Sequence, residues 1–422
     1  MIPSSRPRLE ALTGLRYIAA LTVLLAHMGH NLPAALYGVE LTVLSALGMP
    51  LFFTLSGFLM AYNYSAPFRE RFRRTLWTYS VARFARIYPV YALCLLVSFS
   101  CSGNFFSELK AFPGDVATCL AYQGTLTQSW VHVPVFPNGN PRTVCQGYLG
   151  VSWSVSTEAF FYLVFPLVAL PLARFVTGRG RLVAGTAAVY AAYTLAGYLI
   201  ARRISPEVFG SAGFGMSRGW WKLYLCPYMR FGEFLIGALA GQYFLLRADR
   251  PPATGARWWA GAATLAAATA LFVGGVYRLL LPGEFGAGPT PKPLEMAANN
   301  VLFAPLCAVI IYQLAALPSL AQRALGCRPM VVLGEMSYCL YLLHPVAQGL
   351  FLPRHDGEGP LKAPYVVVYN NLTMVVVLHL MCLGMYRYWE VLAREKLRAW
   401  LDPKPKLKVV SAESSAARGV AA

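Results

Sequence analysis

Arg16 and His27 stand eleven residues apart in one apolar stretch, RLEALTGLRYIAALTVLLAHMGH, residues 8–30. On a helix turning about 100° and rising about 1.5 Å per residue, both fall on nearly one face, roughly 16 Å apart. An imidazole titrates near neutral pH, so it can take the proton of a hydroxyl group. A guanidinium binds phosphate through two parallel hydrogen bonds. Alone, Arg16 reads as a side chain snorkelling to a membrane interface, and His27 as an interhelical hydrogen-bonding group. As a pair they read as functional, because ionisable groups inside a bilayer helix face a protein interior or a wet cavity.

Residues of matching chemistry recur along the chain. Arg83 and Arg86 in RFARIYP lie at i and i+3, so one helix face carries an arginine comb suited to a phosphate-rich ligand. Anchoring at a charged membrane surface is the plainer account of such a comb, and it suffices for Arg69 to Arg74. In GVSWSVSTEAFFYLVFP, Glu158 follows Ser154 by one helical turn, with Trp153 beside it. Helix capping would explain Glu158 by itself. Arg230 and Glu233 form an opposite-charge pair at i, i+3, which is more often internal neutralisation than a site. Ser337, Tyr341 and His344 recur at i, i+4 and i+7 as a polar stripe on an apolar helix. Ser56-Gly57 permits close helix approach and is weighed evenly between packing and function. His30, His132, His355 and His379 have no comparable setting.

The elements that must position these groups are membrane helices. The 422 residues are 57% hydrophobic and 13% charged, with a mean hydropathy of +0.50, whereas soluble domains carry roughly 25% charged residues. The fold class is therefore an all-α polytopic integral membrane bundle of about ten transmembrane helices. The spans fall near 13–31, 40–62, 82–101, 155–173, 182–201, 223–246, 258–277, 298–317, 330–352 and 363–385. The net charge of +18 sits in short clusters between apolar runs, a pattern that orients helices and does not indicate nucleic acid. Arginine asymmetry places both termini in the cytoplasm, against a minor cluster of Arg202, Arg203, Arg218 and Lys222 on the other side.

Residues 1–400 read as one membrane domain. Within it, 102–150 is a long outside loop with turn signals at residues 136–141 and a half-apolar piece near 115–127. Residues 401–422 read as a basic, disordered cytoplasmic tail. Nine cysteines lack CxxC spacing, so no metal or redox motif is indicated, although Cys119 and Cys145 share the outside loop and leave room for a disulfide. There is no G-x-S-x-G, G-x-x-x-x-G-K-[ST] or H-E-x-x-H motif, which argues against a serine esterase, an ATP-driven pump and a zinc protease.

The chain resembles acyltransferase family 3, the bacterial membrane proteins that O-acylate polysaccharides, peptidoglycan and some macrolides. The resemblance rests on Leu12-Thr-Gly-Leu-Arg16 with His27 following, Phe52-Phe-Thr-Leu-Ser-Gly57, and Arg83-x-x-Arg86-Ile-Tyr-Pro89. It continues through Trp153-Ser-Val-Ser-Thr-Glu158, Arg230-Phe-Gly-Glu233 with Gly237, and Gly334 to His344. Thr157 stands where the family often has a second carboxylate, leaving Glu158 as the acid there.

The resemblance implies a cell-membrane enzyme transferring an acetyl or short-chain acyl group from acyl-CoA to a hydroxyl of a carbohydrate, glycolipid or macrolide-like metabolite. In that scheme Arg16, Arg83 and Arg86 hold the donor, acetyl-CoA foremost. His27 is the general base, with Glu158 orienting it or neutralising its transient charge. Trp153, Ser154, Arg230, Glu233, Tyr341 and His344 are candidates to bind the acceptor. A transporter using the same Arg, His and Glu as a proton or substrate pathway is the alternative.

Overall fold

Prolines, glycines and buried charges decide how the apolar runs become helices. The computed structural model describes residues 8–28, 43–138, 141–204, 217–247, 254–280, 297–298, 300–351 and 364–402. The expected tail beyond Asp402, together with Arg6, His30, Arg250 and His355, lies outside the described residues.

In chain order the principal helices are α1 (Glu10–Met28), α2 (Val43–Glu70), α3 (Phe72–Cys101), α4 (Phe105–Ala111) and α5 (Pro113–Gly124). The strands β1 (Pro134–Val135) and β2 (Arg142–Thr143) follow, then α6 (Trp153–Phe175), α7 (Arg179–Ala201), α8 (Pro227–Leu246) and α9 (Ala256–Leu280). The chain continues as α10 (Ala304–Ala316), α11 (Leu320–Gly326), α12 (Arg328–Phe351), α13 (Pro364–Met385) and α14 (Val391–Leu401). A π turn, Tyr386–Glu390, makes α13 and α14 one continuous run.

The architecture is an all-α polytopic membrane protein. Among the described residues, eight helices are long and apolar enough to span a bilayer, and a bent pair brings the number to nine. This agrees with the expected bundle of about ten, and two of the expected spans differ from a simple apolar helix. Residues 223–246 contain the 20-residue helix α8, which carries Arg230, Glu233 and Gln242 and is not among the apolar spans. Residues 298–317 contain the 13-residue helix α10, which breaks at Leu317-Pro318-Ser319 and turns 83° into α11. The Ser319 hydroxyl then accepts from the Gln322 N–H and caps the new helix. Outward apolar stripes at i, i+4 mark the lipid face: Leu372, Val376 and Leu380 on α13 are 63%, 58% and 64% exposed.

Two glycine contacts set the centre of the bundle. A Cβ on Gly57 of α2 would lie 1.9 Å from the Phe234 carbonyl oxygen of α8, and one on Gly237 would lie 1.9 Å from the Thr54 oxygen. The α2 and α8 backbones touch there, so small residues are what lets them cross. Gly334 of α12 meets the Thr13 oxygen of α1 in the same manner. These crossings fix α1, α2, α8 and α12 around the site.

The segment 102–150 is a folded cap. The turn signals at 136–141 connect β1 to β2, which pair antiparallel, and the half-apolar piece is α5. Val116, Cys119, Val135, Phe136 and Val144 form its small core. Glu108 accepts from Arg142 at 2.8 and 2.7 Å and from the Tyr148 hydroxyl at 2.8 Å. Cys119 and Cys145 are separate free thiols; the latter points at the Gln128 carbonyl.

Candidate active site

Two chambers lie end to end between α1, α2, α6 and α12. The first, about 100 Å³, is lined by Arg16, Ser56, Arg83, Arg86, Glu158 and Tyr162, among others. The second, about 430 Å³, lies under the cap and is lined by His27, Gln146, Trp153, Tyr224 and Pro345, among others. Met49 and Tyr341 line both. The one-face spacing of Arg16 and His27 thus places one residue in each chamber.

In the basic chamber, Arg83 donates to the Tyr64 hydroxyl at 3.2 Å, and its guanidinium lies 5.4 and 5.5 Å from the ring centres of Tyr64 and Tyr162. Its Nε is buried without a hydrogen-bond partner among the described residues. Both arginines of the comb sit well inside α3, which begins at Phe72 and not near residue 82 as expected. Arg86 is committed to the buried carboxylate of Glu390, which also has Arg394 at 3.5 Å. Sequence reasoning missed Glu390, because YRYWE reads as an interfacial aromatic belt with charges.

Glu158 accepts from Ser56 at 2.9 Å and from the Tyr162 hydroxyl, one turn further along α6. It lies within electrostatic range of Arg16. The Glu158 carboxylate thus belongs to the arginine chamber, whereas His27 lines the other. The Ser56 hydroxyl joins it while Gly57 packs against α8.

His27 Nδ1 lies 2.8 Å from the Val23 carbonyl. A carbonyl only accepts, so this contact places the proton on Nδ1 and the imidazole lone pair on Nε2. The His344 ring is edge-on to His27 with centres 4.9 Å apart, and His344 is fully buried. Between the chambers the Ser154 hydroxyl donates to Tyr341 at 2.7 Å, and the Tyr341 hydroxyl donates to the Val151 carbonyl at 2.9 Å. This relay fixes the Tyr341 ring at the junction.

Arg230 and Glu233 are enclosed and line neither chamber. Their ion pair is 3.0 Å, and Arg230 lies 4.3 Å from the Tyr224 ring centre, behind the wall of the His27 chamber. The internal-neutralisation reading fits this geometry. His379, set aside as background, meets the Tyr17 hydroxyl at 3.1 Å as an interhelical contact. No group of three or more metal-ligating side chains occurs among the described residues.

Comparison with known proteins identifies the family. Residues 9–385 match the acyltransferase domain family. The chain is 29% identical over 354 residues to Acyltransferase MdmB from Streptomyces mycarofaciens, covering 81% of this chain and 80% of that protein. It is also 25% identical over 265 residues to Regulator of hypoxia-inducible factor 1 from Caenorhabditis elegans, covering 56% of this chain and 51% of that one. No solved structure matches the chain. With a family match running from the start of α1 to the end of α13, the chain belongs to acyltransferase family 3 and is an integral membrane enzyme that transfers acyl groups.

Proposed function

We propose that this enzyme moves an acetyl or short-chain acyl group from acyl-CoA to a hydroxyl of a carbohydrate, glycolipid or macrolide-like metabolite. The observation that carries the reading is the pair of chambers, one lined by three arginines and the other by His27, that meet at Met49 and Tyr341. The arginines lining the first chamber hold the phosphates of the donor, and the thioester reaches the junction. The unpartnered Nε of Arg83 fits an incoming anion.

His27 receives the acceptor hydroxyl proton on Nε2 as that oxygen attacks the thioester carbonyl. The new C–O bond forms, the C–S bond breaks, and the imidazolium returns the proton to the leaving thiolate. The Val23 carbonyl orients the ring, while Glu158 balances the arginines. Tyr341 and Ser154, whose protons are engaged in the relay, position the reactants at the junction. Trp153 forms the acceptor-side wall. His344 packs behind the base.

Both termini are cytoplasmic in this reading and the donor arrives from that side, as the arginine asymmetry indicates. Reporter fusions at Arg73 and Asn138 then report opposite sides. The test of function is acyl transfer from acetyl-CoA by purified protein in detergent. Turnover without any gradient supports the enzyme mechanism, whereas activity that requires a gradient across a sealed membrane returns the transporter alternative.

A further inference from the structure

The last helix brings two more arginines to the basic chamber. Glu390, Arg394 and Arg398 lie at i, i+4 and i+8, one stripe along the run from the π turn into α14. Glu390 meets Arg86, and Arg394 is 3.5 Å from Glu390. Arg398, which is exposed, lies within electrostatic range of Arg83, Arg86 and Arg394. Two indoles pin this run against α3: Trp389 Nε1 donates to the Pro89 carbonyl at 3.0 Å, and Trp77 Nε1 donates to the Leu401 carbonyl at 3.1 Å. The stripe therefore faces the arginine comb by construction.

The charges do not balance. Arg16, Arg83, Arg86, Arg394 and Arg398 meet the carboxylates of Glu158 and Glu390, five positive groups against two negative ones. Like charges held together repel unless an anion joins them, and the unpartnered Arg83 Nε points to the same need. A single phosphate would leave an excess. A ligand with several phosphate groups would remove it.

We propose that Arg394 and Arg398 of α14 complete the phosphate site of the donor, with Glu390 as the positioning residue that sets Arg86 and Arg394 side by side. This rests on the acyl-CoA reading above and adds to it a second wall, from a helix beyond the family match at residue 385. The polyphosphate end of the donor lies between the α3 comb and the α14 stripe. Anionic lipid headgroups offer the same phosphate chemistry to basic residues on a terminal helix.

The test uses the full-length protein in nanodiscs of purely zwitterionic lipid, with coenzyme A and the phosphate-free pantetheine as probes. Arg398→Gln removes an exposed charge and leaves the fold intact. It should raise the Kd for coenzyme A about tenfold, as expected for one charged contact, and leave that for pantetheine unchanged. Arg394→Gln should act in the same direction, and the Arg394→Lys variant should recover part of the affinity. Unchanged coenzyme A affinity in both Gln variants, beside a parent that binds it, overturns the α14 wall and assigns these arginines to lipid. A parent that binds no coenzyme A overturns the donor reading itself, and the α14 wall with it.

Discussion

Arg86 of α3 and Glu390 of the π turn, 304 residues apart in sequence, form an ion pair at the floor of the basic chamber. The Glu390 side chain is 1% exposed and lies between Arg86 and Arg394. Such a pair adds little net stability relative to an apolar one, yet removing one partner is costly because the other remains buried and charged.

Arg86→Ala should therefore act on stability before it acts on catalysis. The expected loss is about 3 kcal/mol, the lower end for a broken buried pair, because Arg394 stays 3.5 Å from Glu390. Thermal unfolding in detergent measures it. The double variant Arg86→Ala/Glu390→Gln should regain much of the loss; a double variant less stable than Arg86→Ala would contradict the pairing.

Gly57→Ala should be poorly tolerated. Its Cβ would lie 1.9 Å from a backbone oxygen of α8, and overpacking of this kind costs typically about 1–3 kcal/mol or more. Gly103→Ala is the control, since nothing lies within 4 Å of a Cβ there. Equal yields of folded protein from the two variants would sink the close-crossing account.

The cap should loosen in acid. Two hydrogen bonds from Arg142 hold the Glu108 carboxyl below its ordinary value, with Tyr148 adding to the effect and burial opposing it. A folded pKa below the unfolded one gives stability that is complete above the unfolded value of about 4.3. It drains away as pH falls through the folded value. Hydrogen exchange across residues 105–148 should accelerate in that window and not between pH 6 and 8. Glu108→Gln should flatten the dependence, and an identical acid profile in the variant would remove Glu108 as its cause.

Much of this site is readable from local pattern. The helical period places Arg16 and His27 on one face, and Ser56-Gly57 marks a close crossing. What the sequence does not reveal depends on contacts between distant segments. The partner of Arg86 lies on the last helical run, inside what resembles an aromatic belt. Glu158 has a local partner in Tyr162, but it is also held by Ser56, 102 positions earlier. Its chamber follows from how α6 slides against α2, which no spacing encodes. The break between α10 and α11 was signalled by Pro318 and Ser319, but the apolar run around them masked it. Arg230 and Glu233 carry the same pattern as a site and are enclosed behind its wall.

The central claim is that His27 is the base, and His27→Gln tests it most directly. Glutamine keeps a hydrogen-bonding group for the Val23 carbonyl but takes up no proton at neutral pH. The variant should fold and bind coenzyme A as the parent does, while turnover falls by at least about 10²-fold, the lower range for general-base catalysis. Turnover within a few-fold of the parent, at matched amounts of folded protein, would contradict the mechanism and leave His27 a packing residue beside His344.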